Sequence, residues 1–175
     1  GVVEVRPGNG VYVTGKTPSL QIGSKVKTPH HLPPAQLIEA RCAIEPQIVR
    51  LCVNRMSAAA IAALEELVDR TERIAQDQNQ LDRFVALGLE FHRQLSLHCG
   101  NAFLASFSSY LVSMEEHPLW VAVNRMAMYS LEARMAQVAE HREILEAIKR
   151  KKSDVAATAM QTHLEHLAQS VLGLR

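Results

Sequence analysis

Three histidines occupy inward positions on three predicted helices, where their imidazole rings could bind a metal ion. Each of them, His92, His141 and His163, lies three or four residues from residues that share its helical face. These inward stripes are Leu81, Val85, Gly88 and Leu95; Met135, Val138, Leu145 and Ile148; and Met160, Leu164, Leu167 and Val171. A single inward histidine is usually a satisfied core residue, because burying an unpaired imidazole costs about 1–3 kcal/mol. Three are explained together if they converge on a divalent ion, which binds neutral imidazole through one ring nitrogen.

A metal ion on three histidines would keep open coordination positions, and these determine what the site could do. An open position could hold a water for hydrolysis, or a carboxylate of a bound small molecule. Hydrolysis would also need a general base beside the ion, but Glu90 and Glu140 are predicted to face away from His92 and His141. The sequence contains no Glu-x-x-His pair, HExxH, GxSxG or phosphate-binding loop. These absences disfavour the common hydrolase and di-iron chemistries.

The composition is that of a globular protein and disfavours several function classes. Of the 175 residues, 47% are hydrophobic and 21% are charged, and the formal net charge is +1. A large basic field is therefore absent, although residues 1–31 carry four basic side chains against Glu4 alone. Aromatic residues make up only 5%, which disfavours a stacking surface for single-stranded nucleic acid. No uncharged stretch is typical of a membrane span, and three cysteines without a CxxC pair indicate the cytoplasm.

The predicted fold class is all-α, an antiparallel bundle of six or seven helices that follows an N-terminal β-hairpin and a linker. The hairpin, residues 1–14, turns at Asn9-Gly10, and a linker punctuated by Pro and Gly covers 15–33. Helical periodicity then fills 34–175. The predicted helices are Pro34–Asn54, a second from its N-cap Ser57 to about Gln76, Asn79–His98, Ala102–Glu116, Pro118 to about Arg150 with Ser130 as a candidate break, and Asp154–Leu172 with Ser153 as N-cap.

The sequence resembles the GntR-type bacterial transcription regulators in two parts. The hairpin Val2–Val13 is similar to the wing that closes their winged-helix DNA-binding domain. The body is similar to the FCD effector domain of the FadR subfamily over most of residues 35–165. The matching pieces, in the family's order, are Glu39-Ala40-Arg41, Glu45-Pro46, Phe91-His92, Gly100-Asn101, Glu140-His141, Ile144-Leu145, Ala147-Ile148, Met160 and His163-Leu164.

The resemblance implies a metal-dependent effector site inside the bundle. In that family, histidines at the positions of His92, His141 and His163 bind a divalent metal, which holds a small carboxylate effector. Zn²⁺ is the first expectation, with Ni²⁺, Mn²⁺ and Fe²⁺ as alternatives. Arg41 and Asn101 would belong to the effector pocket. By spacing alone, Arg41 is also typical of a surface ion pair with the glutamate one turn later.

The resemblance also implies DNA as a partner. Arg6, Gly8 and Gly10 would lie at the tip of the wing and contact the DNA, and most of the DNA-reading domain is expected before Gly1. A homodimer would place two such heads on operator half-sites. A small organic or sugar acid would change how the heads are presented, and hence the operator affinity.

One departure from the family concerns the fourth ligand. The family usually carries Asp four residues before its first histidine, and here that position is Gly88. Either the metal stays on three histidines, with a more positive site, or the metal is lost and the cavity binds something less acidic or nothing. Two other hypotheses remain beside the regulator: a three-His metalloenzyme, and a structural helical interaction domain whose histidines fill the core.

Overall fold

Two β-strands and seven α-helices make up the part of the chain that the computed structural model describes, residues 3–6, 10–13, 33–114 and 117–173. The strands are β1 (Val3–Arg6) and β2 (Gly10–Val13). The helices are α1 (Pro34–Cys52), α2 (Ala58–Ala75), α3 (Leu81–Leu97), α4 (Ala102–Met114), α5 (Pro118–Ala127), α6 (Leu131–Lys149) and α7 (Ser153–Leu172). A 3₁₀ turn, Gln78–Gln80, leads into α3.

The helical prediction is confirmed, and α2 and α6 begin where their serine N-caps place them. The Ser57 side chain accepts a hydrogen bond from the Ala60 backbone N–H at the start of α2. Ser130 does the same for α6, so the long fifth helix of the prediction is divided into α5 and α6. The prediction that Ser153 is an N-cap is wrong, because Ser153 is the first residue of α7 itself. Lys152 takes the N-cap position, directly after Lys151, whose backbone is left-handed with φ of 57°.

The two strands pair antiparallel, with Val3 opposite Val13 and Val5 opposite Val11. Residues 7–9, which include Gly8 and the first residue of the predicted Asn-Gly turn, lie outside the described residues. So do residues 14–32, which hold nearly all of the predicted linker. The assignment of the strands to a winged-helix wing stays a prediction.

The main hydrophobic core joins side chains of α1, α2, α3, α6 and α7. α1 and α6 both pack along α7, α2 packs against α3 and α6, and α4 packs against α3. The large apolar side chains of this core that are almost completely buried are those of Ile48, Leu64, Phe91, Leu95, Ile144, Leu145, Ile148, Met160 and Leu164. Since α3, α6 and α7 share one core, polar residues on their apolar faces are brought inside the bundle. Within the described residues, no helix is long and apolar enough to cross a membrane.

Candidate metal centre

The three predicted histidines converge inside the bundle. His92 comes from α3, His141 from α6 and His163 from α7, and all three are buried. Each offers a ring nitrogen, and these three atoms lie within 4.8 Å of one another. The structure therefore brings together side chains that are 49 and 22 positions apart in the sequence.

The rings are fixed from several sides before any ion is considered. The His141 ring stacks on Phe91, with ring centroids 4.1 Å apart and an interplanar angle of 10°. The His92 and His163 rings also stack, with centroids 5.2 Å apart. Such contacts restrict the χ angles of the rings, so their nitrogens are held in place by the core itself.

Two buried or half-buried carboxylates set the tautomers of two of these histidines. The Nδ1–H of His92 donates to Oε2 of Glu45 at 2.6 Å, and the Nδ1–H of His163 donates to Oε2 of Glu140 at 2.7 Å. An ionised carboxylate only accepts hydrogen bonds, so both Nδ1 atoms carry the proton. In the neutral rings, both Nε2 atoms are then bare acceptors. Carboxylates that orient metal-binding histidines in this way are common around metal ions.

The unprotonated Nε2 atoms of His92 and His163 lie close together, as two ligands of one cation would. Nε2 of His92 lies 3.3 Å from Nε2 of His163. Two neutral acceptors cannot hydrogen-bond to each other, whereas two nitrogens about 2.0–2.1 Å from one tetrahedral Zn²⁺ are about 3.3–3.4 Å apart. Nε2 of His141 is buried and has no hydrogen-bond partner among the described residues. The donor set and its spacing therefore fit a divalent metal.

The electrostatics keep His92 and His141 neutral and the neighbouring carboxylates charged. Burial lowers the pKa of His92 to about 4, although the neighbouring Glu45 acts in the opposite direction. Burial, and then the two neighbouring histidines, lower the pKa of His141 well below its usual value. Burial alone would raise the pKa of Glu45, but Arg41 and then His92 outweigh it and hold that pKa well below its usual range. Neutral imidazoles are the form that binds metals.

This electrostatic arrangement predicts that the metal-free protein loses stability in mild acid. The pKa of His92 is about 4 in the folded protein and about 6.5 in an unfolded chain, so the unfolded state binds the proton first as the pH falls. Above about pH 6.5, His92 is neutral in both states and the free energy of unfolding is not reduced. Between pH 6.5 and pH 4, this histidine lowers the free energy of unfolding by about 3 kcal/mol. Urea unfolding of chelator-treated protein at several pH values measures it. His92→Gln is expected to flatten the dependence, and His98→Gln outside the cluster to preserve it; equal slopes in all three proteins would contradict the prediction.

The interpretation of Arg41 and Glu45 as a surface pair is wrong. Their side chains are only 1% and 3% exposed, and Nε of Arg41 donates to Oε1 of Glu45 at 2.6 Å. α1 packs on both α3 and α7, which covers the face that carries this pair. Since Glu45 also holds His92, the pair forms a buried chain of contacts, Arg41–Glu45–His92.

Glu140 links the cluster to the surface. Its two oxygens accept from Nδ1 of His163 and from Nδ1 of His166. His166 is 55% exposed, while Glu140 is 21% exposed. Burial would raise the pKa of Glu140, but the hydrogen bonds from His163 and His166 lower it overall.

A small cavity lies beside His92. Gly88, the position at which the family resemblance led us to expect an aspartate, is one of its lining residues. The cavity is about 20 Å³, close to the space that one water needs, and residues of five helices line it. Its polar and small lining residues are Arg41, Gly88, His92, Asn124 and Gln137. An organic acid is larger than this space, so side chains must move to admit one.

Asn101 does not line this cavity. Asn101 is exposed and caps α4, where its Oδ1 accepts from the N–H groups of Phe103 and Leu104. Its role in an effector pocket stays a prediction. Arg6 and Gly10 lie on the strands, Gly8 lies outside the described residues, and contact of any of them with DNA also stays a prediction.

Sequence reasoning missed four polar side chains that surround the histidines. Glu45, Glu140, Asn124 and Gln137 lie on α1, α6, α5 and α6. One signal was available for Gln137, which precedes His141 by four residues and so shares its helical face. Glu45 and Glu140 each contact a histidine of another helix, and Asn124 lines the cavity beside His92 from α5. No spacing within one helix identifies these three.

Comparison with known proteins places the chain among regulators. The FCD domain profile matches residues 36–166. The Uxu operon transcriptional regulator of Escherichia coli (strain K12) is 26% identical over 98% of this chain and 67% of that protein. The Exu regulon transcriptional regulator of the same strain is 26% identical over 95% of this chain and 62% of that protein. The chain thus spans about two thirds of the length of these relatives.

The fold is also similar to that of a solved protein. The structure of Streptococcus agalactiae GntR superposes with a TM-score of 0.65 at 24% sequence identity, over 97% of this chain and 75% of that chain. At this identity the likeness concerns the fold alone.

Proposed function

The chain belongs to the FCD domain family of GntR-type regulators, and from this we propose that it senses a small carboxylate for a DNA-binding transcription regulator. A divalent metal, Zn²⁺ in the first place and Ni²⁺, Mn²⁺ or Fe²⁺ otherwise, is held by His92, His141 and His163. The effector is a small organic or sugar acid. Its binding changes the affinity of a cytoplasmic homodimer for operator DNA, which a winged-helix domain of the FadR type contacts.

One observation carries the metal part of this proposal: the bare Nε2 atoms of His92 and His163 lie 3.3 Å apart. Their Nδ1 protons are engaged by Glu45 and Glu140, so no hydrogen bond between the two neutral rings is available to explain the approach. Histidines that merely fill a core would leave this electrostatic repulsion, and the unpartnered Nε2 of His141, without compensation.

The charge around the cavity favours an anionic effector. A bound divalent ion supplies positive charge with coordination positions open to a carboxylate oxygen. Arg41 lines the same cavity, and its guanidinium, which is paired with Glu45, has five N–H donors and can bind more than one carboxylate. Asn124 offers an amide from α5. An acid that enters this cavity must displace side chains. Its binding regulates DNA affinity only if the new side-chain arrangement favours one placement of the two DNA-binding heads over another.

A three-His metalloenzyme is less well supported by the same geometry. The two carboxylates in contact with the cluster, Glu45 and Glu140, both hold Nδ1 atoms. They therefore lie on the side of the rings away from the Nε2 atoms, where an ion with an open position would be. A general base must reach the water that it deprotonates, and neither carboxylate is placed to do so.

The proposal is tested by metal content followed by ligand-induced stabilisation. Protein purified without added metal or chelator is expected to carry about one divalent ion per chain by elemental mass spectrometry. A panel of small mono-, di- and tricarboxylates and sugar acids is then screened by thermal shift, each beside a neutral alcohol or sugar of similar size. We expect at least one acid to raise the melting temperature by about 2–4 °C per kcal/mol that it adds to the free energy of unfolding, and only when metal is present.

Two results would count against parts of this proposal. If the protein stays metal-free after dialysis against Zn²⁺, Ni²⁺ and Mn²⁺, the metal-dependent sensing is wrong. If metal binds but acids act equally in its absence, the ion has another role. The regulator assignment, which rests on the family, survives both results.

A further inference from the structure

Gly88 and Gln137 face each other beside the histidine cluster, across the small cavity. A Cβ atom on Gly88 would lie 2.6 Å from Nε2 of Gln137 and 3.7 Å from its Cδ. The same point is 3.9 Å from Cε1 of His141, the ring carbon between the two nitrogens. The Gln137 amide from α6 therefore reaches the space that a side chain at position 88 of α3 would enter.

The amide of Gln137 has unused hydrogen-bonding capacity in this place. Its Oε1 is buried and has no hydrogen-bond partner among the described residues. The only other buried side-chain atom there without a partner is Nε2 of His141, on the same helix one turn later. Leaving a buried acceptor unpaired costs about 1–3 kcal/mol. These two unpartnered polar atoms lie on one helical face, beside the bare Nε2 atoms of His92 and His163, and one bound metal ion would satisfy all four.

We propose that Gln137 supplies the fourth protein ligand of the metal site, through the oxygen of its side-chain amide. This rests on the proposed metal site at His92, His141 and His163. Amide oxygens are neutral ligands for divalent ions, and a glutamine can exchange its O and N positions by rotating the terminal torsion. Because the ligand is neutral, the ion keeps its full charge of +2 toward an anionic effector.

Gly88 has a definite role in this arrangement, since it leaves room for the amide. It lies inside α3, where glycine destabilises a helix by about 1 kcal/mol relative to alanine. A methyl group at this position would push the Gln137 amide aside by direct contact. The glycine and the glutamine therefore act as a pair, one providing the space and the other the ligand.

Zinc affinity of matched variants tests the proposal. The dissociation constant for Zn²⁺ is measured by competition with a chromophoric chelator for the wild type, Gln137→Leu, Gln137→Glu and Gly88→Ala. We expect about 10–100-fold weaker binding for Gln137→Leu, which keeps the volume but removes the oxygen. Gln137→Glu should bind Zn²⁺ more tightly, because it offers a charged oxygen at the same place. Gly88→Ala leaves the glutamine intact and should still weaken binding at least tenfold.

Controls separate a ligand from a packing residue. Gln80→Leu, a partly buried glutamine outside the site, should leave the zinc affinity unchanged. The side-chain amide NMR signal of Gln137 is identified as the one that is missing from the spectrum of Gln137→Leu. In the wild type, this signal should shift when Zn²⁺ is added. Unchanged affinity in both Gln137→Leu and Gly88→Ala, with wild-type protein that binds zinc, overturns the role of Gln137 alone. Wild-type protein that binds no zinc overturns the proposed metal site together with it.

Discussion

His141→Ala is expected to abolish the stabilisation of the protein by zinc. At a free Zn²⁺ concentration 100 times the dissociation constant, a ligand that binds only the folded state adds about 2.7 kcal/mol. For a domain of this size, that corresponds to a rise of about 5–10 °C in the melting temperature. The variant lacks the ring whose Nε2 has no protein partner, so its melting temperature should not respond to the ion.

The measurement is a thermal melt of chelator-treated protein with and without Zn²⁺, for the wild type and the variant. His141→Ala also leaves a cavity next to Phe91, so its metal-free melting temperature should be lower as well. The change in melting temperature on adding zinc, and not the melting temperature itself, therefore tests metal binding by the variant. His98→Ala, which removes a histidine outside the cluster, should retain the full increment. A zinc increment of wild-type size in His141→Ala would show that the ion is bound elsewhere.

Glu45→Ala is expected to be the most destabilising single change at the site in the absence of metal. It removes the carboxylate that contacts both the Arg41 guanidinium and the His92 ring, all of them buried. Breaking a buried ion pair by removing one partner costs about 3–5 kcal/mol, since the other charge remains in the interior. This is a large part of the 5–15 kcal/mol by which most proteins of this kind are stable.

Urea unfolding at pH 7 measures this cost, with an exposed pair as the control. Arg125 and Asp82 form an ion pair whose side chains are 50% and 68% exposed. Asp82→Ala should therefore change the free energy of unfolding by no more than about 1 kcal/mol. If Glu45→Ala costs as little as Asp82→Ala, the buried pair does not stabilise the fold in the way that its geometry indicates.

A double variant separates stability from metal binding. Arg41→Met combined with Glu45→Leu removes both charges and should recover much of the lost stability, because no unpaired charge stays buried. His92 nevertheless loses the acceptor of its Nδ1 proton. Zinc affinity should therefore remain about 10–100-fold below that of the wild type, as is usual when the group that orients a metal-binding histidine is lost.

The sequence by itself determined the helices and the direction of the three histidines. Ser57 and Ser130 cap helices by accepting hydrogen bonds from backbone N–H groups three residues later, so these helix starts can be predicted from a few neighbouring residues. The inward faces of His92, His141 and His163 follow from the 3.6-residue period of each helix. That period relates a side chain to its own helix, which is why these predictions were confirmed.

The tertiary structure alone decided what surrounds those histidines. Spacing showed that Arg41 and Glu45 are neighbours on α1, but only the packing of α1 on α3 and α7 buries them and brings Glu45 to His92. Glu140 contacts His163, 23 residues later, because α6 and α7 lie side by side. The period of a helix fixes angles around its own axis and says nothing about which helix is its neighbour. The inward direction of the three histidines could therefore be predicted, while the carboxylates that hold His92 and His163 could not.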